Sequence, residues 1–381
     1  MATVRAAVVG AGFIGPVHVE ALRRIGVEVV GFAEISTSLA ESRKVAMGGG
    51  KVYESFEAIL ADPTIDLVHI TSPNHLHFEQ SKAALLAGKN VLCEKPLAMN
   101  TTESAELVAL AKKTGLVAAV NFNVRYYPLA HEARARIQSG ELGELVAVHG
   151  SYLQDWLLYP TDWSWRLEKQ FSGKMRAIAD IGSHWLDLVT FITGLKIESV
   201  MADFKTLHAT RKKPTGPIAT YAESDPNAAV DYPIDTEDYA SVLIRFVGGA
   251  RGVVTASQLC AGRKNQLSFE IDGSKEALAW NSTVPNELWI GHRERPNEIL
   301  IKDPSLLSPD ARNITSYPGG HNEGFADTFK HLYRDVDAAM QDPKGNHKYP
   351  TFEDGHYELL VGEAIYLSAT TDRWVRLDEI Q

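Results

Sequence analysis

The sequence predicts an α/β protein that begins with a doubly wound parallel sheet and continues into a second domain. Strands and helices alternate from residue 4 to residue 128, starting with a strand, a glycine-rich turn and a helix. Such alternation is typical of a parallel sheet with helices on both faces. A chain of 381 residues with 45% hydrophobic content is too long for one ordinary core. We therefore expect two domains, residues 1–124 and residues 125–381.

The glycine-rich turn at the start of the chain has the spacing of a dinucleotide-binding loop. Gly10, Gly12 and Gly15 follow a predicted strand at residues 4–9 and open a helix that ends near Gly26. In this pattern the first glycine permits a tight turn, the second lets a pyrophosphate approach the backbone, and the third lets the helix pack on the strand. Unpaired N–H groups at the helix N-terminus would face the phosphates.

The residue that distinguishes NAD from NADP is expected at the end of the second strand. Glu34 ends the strand "VEVVGFAE", about twenty residues beyond the turn, where an acid binds the adenosine ribose hydroxyls. Its charge would repel a 2′-phosphate, which favours NAD. NADP remains the alternative, because the hydroxyls of Ser36, Thr37 and Ser38 could hold such a phosphate.

A candidate acid–base pair lies in the second half of the chain, in "ADIGSHWLDLVTFITG" (residues 179–194). Asp180 precedes His184 by one helical turn at the start of an apolar helix. An imidazole, with an ordinary pKa of about 6.5, can accept a proton near neutral pH. Asp180 could equally cap the helix, and His184 alone could be a partly buried structural histidine. Asp187, one turn further on, is expected to face solvent or a neighbouring arginine.

An aromatic segment just before this pair suits a sugar substrate. Residues 151–169 contain Trp163, Trp165 and Arg166, and the C–H faces of pyranose or cyclitol rings stack on aromatic rings. Core packing is the alternative for each tryptophan. Proximity in sequence to Asp180 favours these three residues as substrate contacts, and His321 in "YPGGHNEGF" is a further candidate.

Composition and charge exclude several kinds of partner. The formal net charge of −10 argues against nucleic acid. The two cysteines, Cys93 and Cys260, form neither a disulfide framework nor a zinc-site spacing, which fits a reducing cytoplasm. The N-terminus runs directly into a strand without a signal-peptide pattern, and no apolar run reaches the roughly eighteen residues that a membrane span needs. We expect a soluble protein without a membrane partner.

Two regions carry weaker signals. His75 and His77 lie two positions apart with no third ligand in sight, so we predict no metal site, although one of them could lie near the cofactor. Residues 208–238 contain Pro, Gly and charges with little periodicity. This pattern predicts a long loop or arm that covers a site or reaches a neighbouring subunit.

Four motifs in order resemble one known family. The glycine turn, "TSPNHLH", "CEKPLA" and "DIGSHWLD" are similar to the Gfo/Idh/MocA oxidoreductases, the family of glucose–fructose oxidoreductase and inositol dehydrogenase. The resemblance covers nearly the whole chain, including "EDYASVLIRFVGGARGVVTAS". It implies a Rossmann domain followed by an α/β domain with a large open, mostly antiparallel sheet. That sheet often forms the oligomer interface, which implies a homodimer or homotetramer.

The resemblance also implies the site residues. The family's catalytic lysine, aspartate and histidine map onto Lys95, Asp180 and His184, and the bond from Lys95 to Pro96 is often cis in relatives. The predicted cofactor-binding residues are Gly10, Gly12, Phe13, Ile14, Gly15, Glu34, Ser72, Pro73, Asn74, His77, Glu94, Lys95 and Asn123. The predicted substrate-binding residues are Lys95, Arg125, Tyr126, Trp163, Trp165, Arg166, Asp180, His184 and His321.

The function expected from these residues is NAD-dependent oxidation of a secondary hydroxyl of a sugar, sugar derivative or inositol. His184 would act as the general base, assisted by Lys95 and Asp180. A keto-sugar reductase, or an oxidoreductase that retains its cofactor, would share this scaffold. A non-catalytic dinucleotide-binding regulator is a third reading, but such a protein would be expected to have lost Lys95 or His184.

Overall fold

The chain forms two compact units in the computed structural model, which describes residues 3–216 and 228–380. The first unit comprises Met1–Asn123, Gln170–Gly173 and Ala326–Leu359, and the second comprises Val124–Lys169, Lys174–Phe325 and Leu360–Gln381. Two segments that follow residue 124 in the chain therefore belong to the first unit.

Backbone pairing explains the return of the longer segment. The backbone N–H of Val120 donates to the carbonyl of Pro350 at 2.8 Å, and Ala119 forms an antiparallel bridge with Thr351. This segment therefore satisfies backbone groups at the last strand of the first sheet. Hydrophobic patterning gave no sign of this pairing, because it joins residues far apart in the chain.

A six-stranded parallel sheet is the centre of the first unit. Its strands are β1 (Arg5–Val9), β2 (Glu28–Ala33), β3 (Lys51–Val52), β4 (Leu67–Ile70), β5 (Asn90–Cys93) and β6 (Ala118–Val120). They lie in the order β3-β2-β1-β4-β5-β6, and all neighbouring pairs are parallel. This is the strand order of a doubly wound dinucleotide-binding sheet, so that prediction is confirmed.

Five helices connect these strands: α1 (Ile14–Arg24), α2 (Thr37–Arg43), α3 (Phe56–Ala61), α4 (His77–Leu86) and α5 (Thr101–Thr114). Polar side chains define where three of them begin. Ser36, Ser55 and Asn100 accept hydrogen bonds from backbone N–H groups in the first turns of α2, α3 and α5. These caps satisfy donors that the helix itself leaves unpaired.

A nine-stranded mixed sheet dominates the second unit. The remaining strands of the chain are β7 (Leu145–Leu153), β8 (Ile197–Lys205), β9 (Thr210–Pro214), β10 (Ala229–Pro233), β11 (Tyr239–Phe246), β12 (Arg251–Ser257), β13 (Gln266–Gly273), β14 (Ala277–Asn281), β15 (Glu287–Gly291), β16 (Glu298–Ile301) and β17 (Val375–Arg376). The sheet order is β16-β15-β14-β13-β7-β12-β11-β8-β17. Within it β12 and β7 are parallel, and the other neighbours are antiparallel. The expected open, mostly antiparallel sheet is confirmed.

Strands β9 and β10 form a separate two-stranded ribbon, so of the two expectations for residues 208–238, a long loop or an arm, the described part has the form of an arm. Thr210 pairs with Pro233 and Pro214 with Ala229. The ion pair between Lys212 and Asp231 joins neighbouring strands at 2.6 Å. Charged residues on the exposed side concealed the strand pattern in the sequence. Residues 217–227 of this region lie outside the described part of the chain.

The remaining helices are α6 (Pro128–Gln138), α7 (Lys169–Ser172), α8 (Ser183–Thr193), α9 (Pro309–Asn313), α10 (Phe325–Gln341) and α11 (Phe352–Thr371). Helix α8 is anchored on the sheet by Trp185, whose Nε1 donates to the carbonyl of Ser268 at 2.8 Å. A Cβ atom at Gly150 would lie 2.6 Å from that nitrogen, so glycine is required where the indole crosses β7. Among the described residues, no helix combines the length and hydrophobicity needed to cross a bilayer.

Candidate functional site

The glycine turn between β1 and α1 has the geometry that its spacing predicts. Gly10 has a φ of 97°, and a Cβ there would lie 2.8 Å from the Thr71 carbonyl oxygen. A Cβ at Gly15 would lie 2.4 Å from the carbonyl oxygen of Gly10, whereas no heavy atom beyond the adjacent residues lies within 4 Å of the Cβ position of Gly12. Gly10 and Gly15 thus serve the fold, and Gly12 leaves open space where a pyrophosphate could approach the backbone.

Glu34 lies against this turn from the end of β2. Its Oε1 accepts from the backbone N–H of Ala11 at 2.5 Å, and its Oε2 accepts from Ile35 N–H at 3.0 Å. The hydroxyl of Ser36 caps α2 by accepting from Leu39 N–H at 3.3 Å. The Glu34 carboxylate is therefore fixed beside the turn. The hydroxyl of Ser36, one of the three that could hold the 2′-phosphate of NADP, already caps α2.

The loop with Lys95 rests on a buried carboxylate. The peptide between Lys95 and Pro96 is cis, as the resemblance implied, and the Lys95 N–H donates to Glu94 Oε2 at 3.2 Å. Glu94 Oε1 contacts His18 Nε2 at 3.0 Å and accepts from Asn121 Nδ2 at 2.5 Å. Burial alone would raise the pKa of Glu94, but His18, the Lys95 charge and Asn121 together lower it to about 2. A negative charge thus stands directly behind Lys95.

His77 was expected near the cofactor, but the structure gives its ring another role. The side chain is buried, and its ring nitrogens lie 2.8 Å from the carbonyl oxygen of Ser72 and 2.7 Å from that of Pro96. Both nitrogens therefore face the backbone of two loops that follow β4 and β5. His77 connects the Lys95 loop to the loop after β4, and its contact with the cofactor stays a prediction.

The other predicted cofactor contacts in the first unit make well-defined local bonds. Ser72 Oγ donates to Gln80 at 2.6 Å, and Asn74 Nδ2 donates to the Ser172 carbonyl at 3.3 Å. Asn123 is buried and donates to Thr328 Oγ1 at 2.7 Å. Phe13 precedes α1, Ile14 is the first residue of α1, and Pro73 lies between Ser72 and Asn74. Contact of these side chains with NAD stays a prediction.

A second buried histidine extends the polar network behind Glu94. Nδ1 of His69, on β4, lies 2.9 Å from Nδ1 of His18, and the rings of Phe329 and Tyr333 enclose the pair. Burial, followed by the charge interaction with His18, holds the pKa of His69 well below its ordinary value. The folded protein therefore keeps His69 neutral.

This burial predicts loss of stability in weak acid. Below about pH 6.5 the unfolded chain protonates His69 while the folded chain does not. The contribution of His69 to the free energy of unfolding is therefore complete above that pH, and it declines by up to about 1.4 kcal/mol per pH unit below it. We expect the urea midpoint to fall between about pH 7 and pH 5, and to fall less steeply in His69→Asn. His321→Asn, at an exposed position, should keep the wild-type slope. Equal slopes in wild type and His69→Asn would contradict this assignment.

Asp180 lies inside a helix and does not cap it. Residues Ile178–Gly182 form a π-helical turn that leads into α8, and the Asp180 N–H donates to the Arg176 carbonyl at 2.7 Å. The capping carboxylate is that of Glu237, which accepts from the N–H groups of Arg176 at 2.9 Å and Ile178 at 2.9 Å. A distant residue thus supplies the cap, and the Asp180 side chain projects from the turn.

The structure brings Asp180 together with part of the predicted aromatic segment. Asp180 Oδ1 lies 3.3 Å from Arg166 Nε, and the Arg166 guanidinium lies 4.6 Å from the ring centroid of Trp165. Asp180 Oδ2 accepts from Gln258 Nε2 at 2.8 Å. A carboxylate, a guanidinium and an aromatic face are therefore adjacent, and this is the chemistry that recognises a polyhydroxylated ring.

His184 lies in the first turn of α8 and is 9% exposed. Its ring centroid is 6.2 Å from that of Tyr152 on β7, and the Tyr152 hydroxyl donates to Asn265 Oδ1 at 2.8 Å. Packing against the sheet restricts the ring, which is a requirement for a residue that must hold or accept a proton in one direction.

Arg125 was expected to bind substrate, but it holds a structural partner. Its guanidinium forms a bidentate pair with Asp187, with Nε 2.7 Å from Oδ2, and both side chains are buried. Substrate binding by Arg125 would leave the Asp187 carboxylate unpaired in the interior. The expectation that Asp187 faces an arginine holds. Tyr126 is also buried, with its ring 5.3 Å from that of His131.

Trp163 belongs to a core, contrary to its assignment as a substrate contact. It is buried with Leu157, Leu167 and Ile234, and its ring meets that of Tyr232 edge-on at 5.2 Å. Tyr232 comes from β10, so the ribbon covers this tryptophan. Of the two predicted tryptophans, Trp165 remains the candidate beside Asp180.

His321 lies in an exposed turn that a buried lysine organises. Lys302 Nζ donates to the carbonyls of His321 at 2.7 Å and Tyr317 at 3.2 Å and pairs with Glu323 at 2.9 Å. The His321 ring is exposed, and its Nδ1 lies 3.3 Å from the Gly319 carbonyl oxygen. Its contact with substrate stays a prediction.

One group among the described residues could hold a metal ion. Ligand atoms of His149, Glu270 and Asp272, on β7 and β13, lie within 4.8 Å of one another. All three side chains are about 40% exposed, which is common for charged groups on an open sheet. His75 and His77 are not part of it.

Comparison with known proteins identifies the chain. Residues 4–122 match the profile described as an oxidoreductase family with an NAD-binding Rossmann fold, and residues 130–279 match the GFO/IDH/MocA C-terminal domain. The chain is 30% identical over 354 residues to levoglucosan dehydrogenase of Pseudarthrobacter phenanthrenivorans, covering 91% of this chain and 89% of that protein. It belongs to the GFO/IDH/MocA oxidoreductase family.

Solved structures of GFO/IDH/MocA proteins share the fold over their whole length. Levoglucosan dehydrogenase in complex with NADH and L-sorbose matches with a TM-score of 0.88 at 29% identity, covering 99% of both chains. An inositol dehydrogenase homologue complexed with NAD+ from Azotobacter vinelandii matches with a TM-score of 0.86 at 26% identity, covering 98% of this chain and 97% of that one. The predictions of family, fold class and NAD as cofactor are confirmed.

Several residues that support the candidate residues within each unit were not predicted from the sequence. They are His18, Asn121, Arg176, Arg211, Glu237, Asp238 and Gln258. The adjacent acids Glu237 and Asp238 at the start of β11 were the available signal, because acids are rare at buried positions unless they are paired. Their arginine partners could not be chosen without the fold.

Proposed function

We propose that this protein is an NAD-dependent dehydrogenase that oxidises a secondary hydroxyl of a sugar, sugar derivative or inositol. The observation that carries the proposal is Asp180, held between Arg166 and Gln258 beside the face of Trp165, in a chain with an NAD-binding domain. Levoglucosan dehydrogenase and inositol dehydrogenase homologues among its relatives support a sugar or cyclitol as substrate.

The chain's residues divide the work of binding and proton transfer. NAD, when bound, supplies the acceptor for the hydride that leaves the carbinol carbon. The open space at Gly12 would take the pyrophosphate and Glu34 the ribose hydroxyls. A ring nitrogen of His184 would accept the hydroxyl proton.

Lys95 and Asp180, which carry opposite charges, would assist this proton transfer in different ways. The Lys95 ammonium would donate a hydrogen bond to the reacting oxygen as negative charge develops on it. The Asp180 carboxylate would orient the His184 ring or accept from a neighbouring substrate hydroxyl. Both roles rest on the family resemblance and on the local geometry of each residue.

The test is a panel of sugars and cyclitols assayed by NADH absorbance. Levoglucosan, L-sorbose, myo-inositol and common pyranoses should include at least one substrate that reduces NAD, and NAD should be preferred over NADP because of Glu34. A tenfold preference for NADP would overturn the cofactor assignment. Ketoses assayed with NADH in the reverse direction test the alternative of a keto-sugar reductase.

We also propose that the enzyme is a cytoplasmic homodimer or homotetramer that associates through the nine-stranded sheet. Leu243 on β11 and Val253 on β12 are paired neighbours, and they are 50% and 38% exposed on the outward side of the sheet. Exposed apolar pairs at the centre of a sheet are typical of an interface. Sedimentation velocity would test it, and a monomer would refute it. The two free cysteines fit a reducing compartment.

A further inference from the structure

We propose that Gln258 is a positioning residue for Asp180, whose amide holds the carboxylate in the orientation that binds substrate. This inference rests on the proposed role of Asp180 in the substrate site. Gln258 follows β12 directly, and its side chain is fully buried. Neither the motifs nor the family resemblance pointed to it.

The contacts of Gln258 determine which end of its amide faces Asp180. Arg176 Nη1 donates to Gln258 Oε1 at 2.9 Å, and a guanidinium can only donate. The amide oxygen must therefore face Arg176, so the NH2 group faces Asp180 Oδ2, 2.8 Å away. Arg166 Nε lies 3.3 Å from the other oxygen. Donors on both oxygens fix the rotation of the carboxylate.

Arg176 is itself immobilised by a buried charge cluster. Its guanidinium pairs with Asp238, which also pairs with Arg211 at 2.9 Å, and all three side chains are fully buried. The backbone N–H of Gln258 donates to the Asp238 carbonyl at 3.1 Å. Gln258 is thus held at both its backbone and its side-chain oxygen, and only its NH2 group points toward the candidate site.

Gln258→Glu tests this arrangement with almost no change in shape. The new carboxyl group keeps an acceptor for Arg176 but presents an oxygen to Asp180. Two ionised carboxylates at hydrogen-bond distance repel each other, so the pair binds one shared proton more readily than an isolated carboxylate does and loses that proton as the pH rises. We expect kcat/KM to fall about 10- to 100-fold near pH 9, and the deficit relative to wild type to shrink toward pH 6, where the shared proton restores a donor.

Two measurements distinguish a positioning role of Gln258 from a general structural effect of the substitution: the separate changes in kcat and KM, and the affinity for NAD. If the Asp180 carboxylate accepts from a substrate hydroxyl, KM for the substrate should rise more than kcat falls. The dissociation constant for NAD, followed by tryptophan fluorescence, should stay at the wild-type value. A merely structural loss would lower active-enzyme concentration equally at every pH.

A matched control is available in the same chain. Gln341 Nε2 donates to Asp337 Oδ2 at 2.8 Å on the exposed side of α10. Gln341→Glu therefore makes the same change in an amide–carboxylate pair of the first unit, a pair that contains none of the candidate site residues. It should leave kcat/KM and its pH profile unchanged.

Asp180→Asn, measured in parallel, separates failure of the inference from failure of the proposed function. If Asp180→Asn leaves kcat/KM within a few-fold of wild type, both the proposed role of Asp180 and the positioning role of Gln258 are wrong. If Asp180→Asn lowers kcat/KM but Gln258→Glu behaves as wild type at every pH, only the inference is overturned. Should Gln258→Glu not fold, Gln258→Asn, which withdraws the amide by one methylene, should lower kcat/KM without the pH-dependent recovery, and wild-type kinetics would refute the inference.

Discussion

Replacing Lys95 by alanine is expected to lower kcat about 10²- to 10⁴-fold, the usual contribution of a group that assists proton transfer and stabilises a developing oxyanion. NAD should still bind, because Gly12 and Glu34 lie on other loops of the sheet. Steady-state kinetics with the substrate found in the panel, and NAD titration by tryptophan fluorescence, would measure the two effects separately.

A surface lysine of the first unit provides the control for this variant. Lys112 on α5 is exposed and pairs with Glu353 at 2.6 Å, so Lys112→Ala should leave kcat unchanged. A Lys95→Ala enzyme with kcat within a few-fold of wild type, and with NAD still bound, would show that the catalytic assignment is wrong. Loss of NAD binding alone would assign Lys95 to the cofactor.

Asp238→Asn is expected to lower the free energy of unfolding by about 3–5 kcal/mol, the cost of removing one partner from a buried ion pair. Asp238 pairs with both Arg176 and Arg211, and the three side chains have no solvent exposure. Burial alone would raise the pKa of Asp238, but the two guanidinium charges hold it below its ordinary value. Urea unfolding followed by tryptophan fluorescence would measure the loss.

An exposed ion pair from the same region serves as a control, because it shows how much stability is lost when a charge is removed from a pair that is not buried. Asp235 pairs with Lys169 at 2.6 Å, with side chains that are 74% and 40% exposed. Because solvent screens such a pair, Asp235→Asn should change the urea midpoint by no more than a small fraction of the Asp238→Asn effect. Comparable effects of the two variants would mean that the cluster around Arg176 does not stabilise the second unit.

The elements that could be predicted from sequence are those whose signal is local. The turn from Gly10 to Gly15 follows from backbone sterics and helix geometry within a few residues. Glu34 was found by its distance from that turn, and Trp165 with Arg166 by nearness to Asp180. Each of these predictions uses a spacing that the fold preserves.

The sequence did not predict the structural contacts of side chains whose partner lies far along the chain. Arg125 was assigned to substrate but pairs with Asp187, Trp163 is covered by the ribbon, and His77 joins two loops. Residue type alone indicates what such a group can bind. It does not indicate which of several distant groups meets it.

The amino-acid sequence was therefore sufficient for the fold class and for NAD as cofactor, since periodicity and motif spacing are short-range properties. The candidates Lys95, Asp180 and His184 came from the resemblance of the motifs to a known family. Only the tertiary structure showed that Glu237 caps the helix of Asp180 and that the Gln258 amide donates a hydrogen bond to the Asp180 carboxylate. These contacts bring together residues from separate strands and helices. Their energy depends on burial and on satisfied hydrogen bonds, which exist only once the chain has folded.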